Sequence, residues 1–309
     1  MYVQSNRYQE VDRIDPFARN GFKNKYALLT LYHIIFFLKL PILILLYPPF
    51  ICVQILLLLL NATQTTHFVQ IIIKKVLFKV IRFFTGTTSV DIQPTPLVDQ
   101  YRDITEHVHP RQGDLIISNP GSILNTLFLD CNYSPIYCVP VDPENVLVKS
   151  TFPMILDQLL AKNFCKHGMK MKFTDALKLA REHYHCPLVI FPECATSNGQ
   201  SVLRFKKFGI GQEIYDCRVH IIGFKHDNVG EFLNLTLIGP YLQLIYLFGR
   251  LFGTLKVRTA LPQDIPRFRD GIIDEEWIAD CRNVLSVIMR VPLNTRSEEQ
   301  YLKRIKSRK

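Results

Sequence analysis

The chain contains a single tryptophan, and its eight cysteines form neither a CxxC pair nor a regular series. That scatter excludes a zinc-ribbon site and the stapled framework of a small secreted domain, and it predicts reduced thiols facing the cytosol. His183, His185 and Cys186 stand close together, but no second cluster at zinc spacing accompanies them, so no metal site is expected. Repeats and low-complexity segments are also missing, which removes readings based on biased composition. Charged residues are few, at 21 %. Hydrophobic ones reach 48 %, with 21 phenylalanines, a balance that is high for a soluble enzyme and points to membrane contact.

A formal charge of +10 calls for an anionic partner. The basic residues flank long apolar runs instead of forming an aromatic-studded strip, so membrane lipids fit and no nucleic acid is expected. Arg7, Arg13, Arg19, Lys23 and Lys25 make residues 1–25 a basic lead too long for an ordinary secretory signal. From Tyr26 to Leu60 the only Lys, Arg, Asp or Glu is Lys39, and the stretch exceeds the ~20 residues a spanning helix needs. Pro41 and the pair Pro48-Pro49 interrupt it, since a proline inside a helix costs ~3 kcal/mol or more. The arm from Phe50 to Leu60 would reach only ~16 Å into a ~30 Å hydrocarbon core. Residues 26–61 are therefore expected to form a membrane hairpin that dips into one leaflet, the alternative being a transmembrane segment.

Lys74, Lys75, Lys79 and Arg82 lie on the far flank, so both flanks face the cytosol and residues 67–85 read as a basic amphipathic helix at the interface. The sequons at Asn61, Asn132 and Asn234 are then expected to stay unmodified. Beyond Gly86 the pattern changes to short apolar strands alternating with helical stretches, which predicts an α/β domain over residues 87–294 with a mostly parallel sheet flanked by helices. Strands are expected at 114–118, 136–141, 188–191 and 219–224, and helices at 122–130, 152–161, 174–184 and 274–289. The apolar stretch at 235–252 is broken by Gly239-Pro240 and reads as buried or interfacial. Residues 295–309 form a basic tail.

The most informative run is Pro187-Leu188-Val189-Ile190-Phe191-Pro192-Glu193-Cys194-Ala195-Thr196-Ser197-Asn198-Gly199. It reads as a buried strand, a proline stop, a carboxylate and a polar turn, at the strand C-terminus where parallel sheets bind ligands. Arg204, Lys206 and Lys207 follow, so a phosphate would meet a guanidinium fork and ammonium groups there.

This run resembles the FPEGT-type block of the lysophospholipid (glycerolipid) acyltransferase family, with Cys194 in place of the glycine and Ala195 in place of the next residue. Phe191, Pro192, Glu193, Thr196, Ser197, Asn198 and Gly199 agree. The family's first block, N-H-x-S-x-x-D after a strand, corresponds to Asn119-Pro120-Gly121-Ser122-Ile123-Leu124-Asn125. Here Pro120 takes the histidine position and Asn125 the aspartate position, while Asn119 and Ser122 match. Lys166, His167 and Lys170 lie in the region of the intermediate block.

The resemblance implies acyl transfer from acyl-CoA, as co-substrate, to a lysophospholipid such as lysophosphatidic acid, with no bound cofactor. It implies an endoplasmic reticulum membrane or lipid droplet location, with the α/β domain facing the cytosol. Ser122, Asn125 and Glu193 become the catalytic candidates, and Asn119, Thr196, Ser197, Asn198, Gly199, Arg204 and Lys206 the substrate-binding ones. A proline cannot take a proton from the acceptor hydroxyl, and a missing general base typically costs ~10²–10⁴ in rate. The pair His109 and Asp114 has the H-x4-D spacing but stands before the strand instead of after it. The alternative to slow catalysis is a lipid-binding scaffold in trafficking or lipid-droplet biology.

Overall fold

The computed structural model describes residues 30–42, 45, 74–76, 78–97, 109–159, 164, 167–196, 199, 201–214, 217–226, 245, 248, 249, 252–297 and 300. The basic lead, most of the expected hairpin and the end of the basic tail lie outside these residues. The strands are β1 Ser89–Thr95, β2 Leu115–Ser118, β3 Ile136–Pro140, β4 Asn145–Lys149, β5 Met169–Lys172, β6 Leu188–Ile190, β7 Val219–His226 and β8 Thr254–Ala260. The helices are α1 (30–42), α2 (74–76 and 78–84), α3 Ile123–Tyr133, α4 Thr151–Leu159, α5 Phe173–Glu182 and α6 Glu275–Met289.

Runs without a charged residue make the middle of the sheet. β2, β3 and β6 are buried at every position, as strands covered on both faces must be. The eight strands form one sheet in the order β1-β8-β7-β2-β6-β3-β4-β5. Four of its seven neighbouring pairs are parallel, including the central run β7-β2-β6-β3, and three are antiparallel. The fold is thus α/β with a mostly parallel mixed sheet flanked by helices. The four expected strands and four expected helices fall within about three residues of observed elements.

Side-chain alternation divides the core in two. Leu115, Ile117, Leu188 and Ile190 pack under Ala176 and Ala180 of α5 and Trp277 and Leu285 of α6. Ile116 and Val189 face the other way, against Phe128 and Leu129 of α3, Met154 of α4 and Phe78 of α2. Capping fixes the helices at their ends: Ser122 Oγ accepts from Leu124 N at the start of α3, and the Asp274 carboxylate accepts from Trp277 N at the start of α6. One ion pair is sealed in the core, where Lys149 Nζ meets the Asp157 carboxylate at 2.5 Å and also donates to Phe164 O.

α1 lays Tyr32 and Phe36 against Ile245. Lys39, the charge inside the expected hairpin, turns inward and donates to Phe84 O at 2.9 Å and Phe248 O at 3.0 Å. The opposite stripe, Leu31, Ile34, Leu38 and Ile42 with Phe37 beside it, is exposed. Among the described residues no helix is long and apolar enough to cross a membrane. In α2 part of the basic face serves the domain: Lys74 pairs with Asp130 at 2.9 Å, and Arg82 donates to Thr87 O and Thr88 O. Lys75 and Lys79 stay exposed.

Candidate functional site

β2 ends at Ser118, and the chain turns through Asn119, Pro120 and Gly121 into α3. Asn119 spends both ends of its amide on one residue of β7, with Nδ2 donating to Phe224 O at 3.1 Å and Oδ1 accepting from Phe224 N at 2.8 Å. It fastens β2 to β7, so these atoms are not offered to a ligand. Ser122 is the N-cap of α3. Asn125, the third residue of α3, is fully buried and its Nδ2 reaches Asn119 O at 3.4 Å. A Cβ on Gly121 would lie 3.1 Å from Asn125 Nδ2, so the turn is closed against side-chain amides. Pro120 is buried and brings no titratable group.

The neighbouring strand carries the second block. β6 runs parallel to β2 with Ile190 opposite Ile117, so Phe191-Pro192-Glu193 leaves the sheet beside Asn119. Glu193 is 1 % exposed; its Oε1 accepts from Leu203 N at 3.2 Å, and Oε2 has no partner among the described residues. Burial pushes its pKa up to about 8, against smaller opposing effects from the Leu203 amide and the Arg282 guanidinium. The carboxyl is therefore largely protonated at neutral pH. Thr196 Oγ1 is likewise buried without a partner among the described residues.

Cys194 occupies the left-handed region with φ 53, a conformation that glycine adopts freely and a side chain does not. The thiol lies within 3.6 Å of Pro140 O and Pro192 O, and this packing holds the turn. Gly199 also has a positive φ, of 69, with open space where a Cβ would stand. Ser197 and Asn198 lie outside the described residues.

The cationic candidates divide. Lys206 is half-buried and its backbone N donates to Pro192 O at 2.8 Å, which ties residues 201–206 to the strand stop. Arg204 is exposed and lines a groove of about 410 Å³ along α6 with Lys207 and Arg282. Lys207 pairs with Glu275 of α6, and Arg282 donates to Leu203 O and Asn294 O. Glu193 is buried behind Leu203, and the lining of this groove does not include it. His167 is exposed and Lys170 pairs with Asp142 at 2.9 Å, while Lys166 lies outside the described residues.

The H-x4-D spacing of His109 and Asp114 does not bring the two side chains together. His109 is exposed, and the Asp114 carboxylate accepts from Arg111 N at 2.7 Å and meets His220 Nε2 at 3.0 Å. Parallel pairing sets His220 of β7 opposite Ile116 of β2, a long-range register that no local spacing announces. Near the three residues that resembled metal ligands, His185 Nδ1 bonds Gln112 at 2.7 Å and burial pushes the Cys186 thiol up to about 12. Among the described residues no group of three His, Cys, Asp or Glu is placed to hold a metal ion. Compared with known proteins, the chain matches no family model, no curated protein and no solved structure.

Proposed function

We propose that the protein is a membrane-bound, acyl-CoA-dependent lysophospholipid acyltransferase, with lysophosphatidic acid as acceptor, working where β2 and β6 end. The adjacency of the two blocks at the C-terminal edge of neighbouring parallel strands carries this reading, because that edge is where α/β sheets take ligands. A Glu193 held protonated does not repel a phosphate head group and can donate to it, and Thr196 Oγ1 is a second buried group free for a ligand among the described residues. Lys206 and Arg204 supply positive charge on the segment that follows. Positioning and hydrogen bonding would carry catalysis in the absence of an imidazole at residue 120.

The test gives oleoyl-CoA and radiolabelled lysophosphatidic acid to membranes holding the wild type, Glu193→Ala, Thr196→Val or no protein. Thr196→Val removes a hydroxyl that makes no bond within the described residues, so folding is preserved and product formation is expected to fall several-fold. Equal product in all four samples rejects the enzyme. A second reading, a scaffold that binds lysolipid without turnover, is favoured by Pro120 and Asn125, and saturable binding without product would support it.

Membrane attachment is proposed through the exposed stripe of α1, with Phe83 of α2, against a cytosolic leaflet of the endoplasmic reticulum or a lipid droplet. Burying one large apolar side chain is worth about 1.5–3 kcal/mol, so Phe37→Glu with Leu38→Glu is expected to weaken vesicle binding at least tenfold. Flotation with phosphatidylcholine and phosphatidylserine vesicles measures this, and unchanged flotation would remove the stripe from the contact.

A further inference from the structure

A cavity of about 450 Å³ opens at the other end of the sheet, where β7 begins and β8 ends. Its volume is in the range that takes small molecules. Arg218, His220 and Thr259 contribute polar atoms, and Pro262, Ile265, Pro266 and Phe268 give it an apolar wall. Its described lining contains two arginines and no aspartate or glutamate. Both arginines are exposed, and neither guanidinium has a partner among the described residues. Arg218 and His220 stand two residues apart on extended chain, so their side chains project to the same face.

His220 is the built part of this site. It is 9 % exposed, and its ring has one partner among the described residues, the Asp114 carboxylate on Nε2. Arg111 N also donates to the same carboxylate oxygen, so Nε2 is the ring nitrogen placed to donate to Asp114, and in the neutral ring Nδ1 is the acceptor. Nδ1 is then the acceptor atom of a ring whose orientation is set and which lines the cavity. The nearby Cys217 is no nucleophile, because burial pushes its thiol up to about 12. Phe268 is held firm by stacking on Trp277, with ring centroids 4.6 Å apart, so the apolar wall is preformed.

We propose that this cavity is a binding site for an organic phosphate monoester carrying a free hydroxyl: Arg218 and Arg267 grip the phosphate, and His220 Nδ1 accepts from the hydroxyl. Two guanidinium groups arriving from separate segments suit a tetrahedral phosphate, which offers oxygens in several directions, better than a planar carboxylate that one fork can satisfy. The proposal stands apart from the acyltransferase reading, since its polar groups Arg218 and His220 lie where β7 begins, beside the start of β2, and that reading uses the residues that follow the end of β2.

Calorimetric titration of the full-length protein in detergent micelles, with glycerol 3-phosphate, pyridoxine 5′-phosphate and methyl phosphate as probes, tests it. The wild type is expected to bind all three saturably, the aromatic probe more tightly than methyl phosphate. Arg218→Ala and Arg267→Ala are each expected to weaken every probe by roughly tenfold or more, and both lie on the surface where folding tolerates the change. His220→Gln keeps an amide donor for Asp114, and it should weaken the two hydroxyl-bearing probes while leaving methyl phosphate unaffected. Absence of saturable binding by the folded wild type overturns the site, as does binding that survives the double arginine variant. An equal loss for all three probes in His220→Gln overturns the role of Nδ1.

Discussion

Glu193→Gln is expected to melt close to the wild type at pH 5 and well above it at pH 8. The folded-state pKa of Glu193 is raised from 4.5 to about 8, so between these values the folded protein holds a proton that the unfolded chain has released. A raised pKa of this kind gives stability that is complete below the unfolded value and lost as pH climbs through the folded one. Each tenfold difference in proton affinity between the two states corresponds to about 1.4 kcal/mol, which makes the loss on the order of 4 kcal/mol by pH 8. For a domain of this size each kcal/mol moves the melting temperature by about 2–4 °C, so the two proteins should separate by roughly 10 °C. Glutamine cannot ionise and still offers an oxygen to Leu203 N, so its curve should lack this slope. Thermal melts from pH 5 to pH 8.5 measure the difference, and parallel curves would show that the carboxyl is not held neutral.

The same substitution separates two roles for the residue. If the carboxyl serves only to fix residues 201–203 against the strand stop, Glu193→Gln should keep any acyl transfer intact while Glu193→Ala weakens folding at every pH. The alanine leaves Leu203 N without its acceptor, a loss of about 1–3 kcal/mol for a buried donor. If the protonated Oε2 donates to a head group, glutamine replaces a hydroxyl donor with an amide donor, and the Michaelis constant for the acceptor should shift while melting improves.

Local pattern explains which parts of the fold were legible in the sequence. The central strands announced themselves through uncharged runs such as Leu188–Ile190, and α3 and α6 through Ser122 and Asp274 at their starts. The edge strands did not. β5 is Met-Lys-Met-Lys, largely exposed and held by its ladder to β4, and its alternation runs for only four residues with neither methionine buried, too short to distinguish it from a loop. β8 does alternate, with every second residue buried, but its short Thr-Leu-Lys-Val-Arg-Thr-Ala run follows the apolar stretch at 235–252 that dominates the local composition. At the candidate site the sequence located the blocks but not the direction of their side chains. Asn119 had the residue type of a ligand contact, and its amide instead matches the backbone of Phe224, a partner 105 residues away. Arg204 was two residues from Lys206 in the chain, yet an extended segment whose Leu203 is fastened to Glu193 leaves Arg204 outward along α6. The His220–Asp114 pair depends on register between β2 and β7, which sequence spacing cannot supply.

If the proposed acyl transfer takes place, placing a histidine at residue 120 and an aspartate at residue 125 together, as Pro120→His with Asn125→Asp, is expected to raise its rate by ~10²–10⁴, the usual contribution of a positioned general base. Neither change alone should do this. Asn125→Asp removes the amide that donates to Asn119 O and leaves a carboxylate in a fully buried position, partly offset by its place in the first turn of α3, where the helix dipole favours negative charge. Pro120→His alone gives an imidazole with no carboxylate to fix its tautomer, and it also loosens the unfolded chain, at a cost of about 0.4–1 kcal/mol. In the double variant the carboxylate accepts the single imidazole N–H and so orients the ring with its other nitrogen free as base, and the two changes should couple in both stability and rate. Initial rates of lysophosphatidic acid acylation by the wild type, both single variants and the double variant, at matched folded fraction, close the cycle. A double variant no faster than the wild type would mean that the reacting hydroxyl is not presented at the start of α3, and the adjacency of β2 and β6 would then support lipid binding alone.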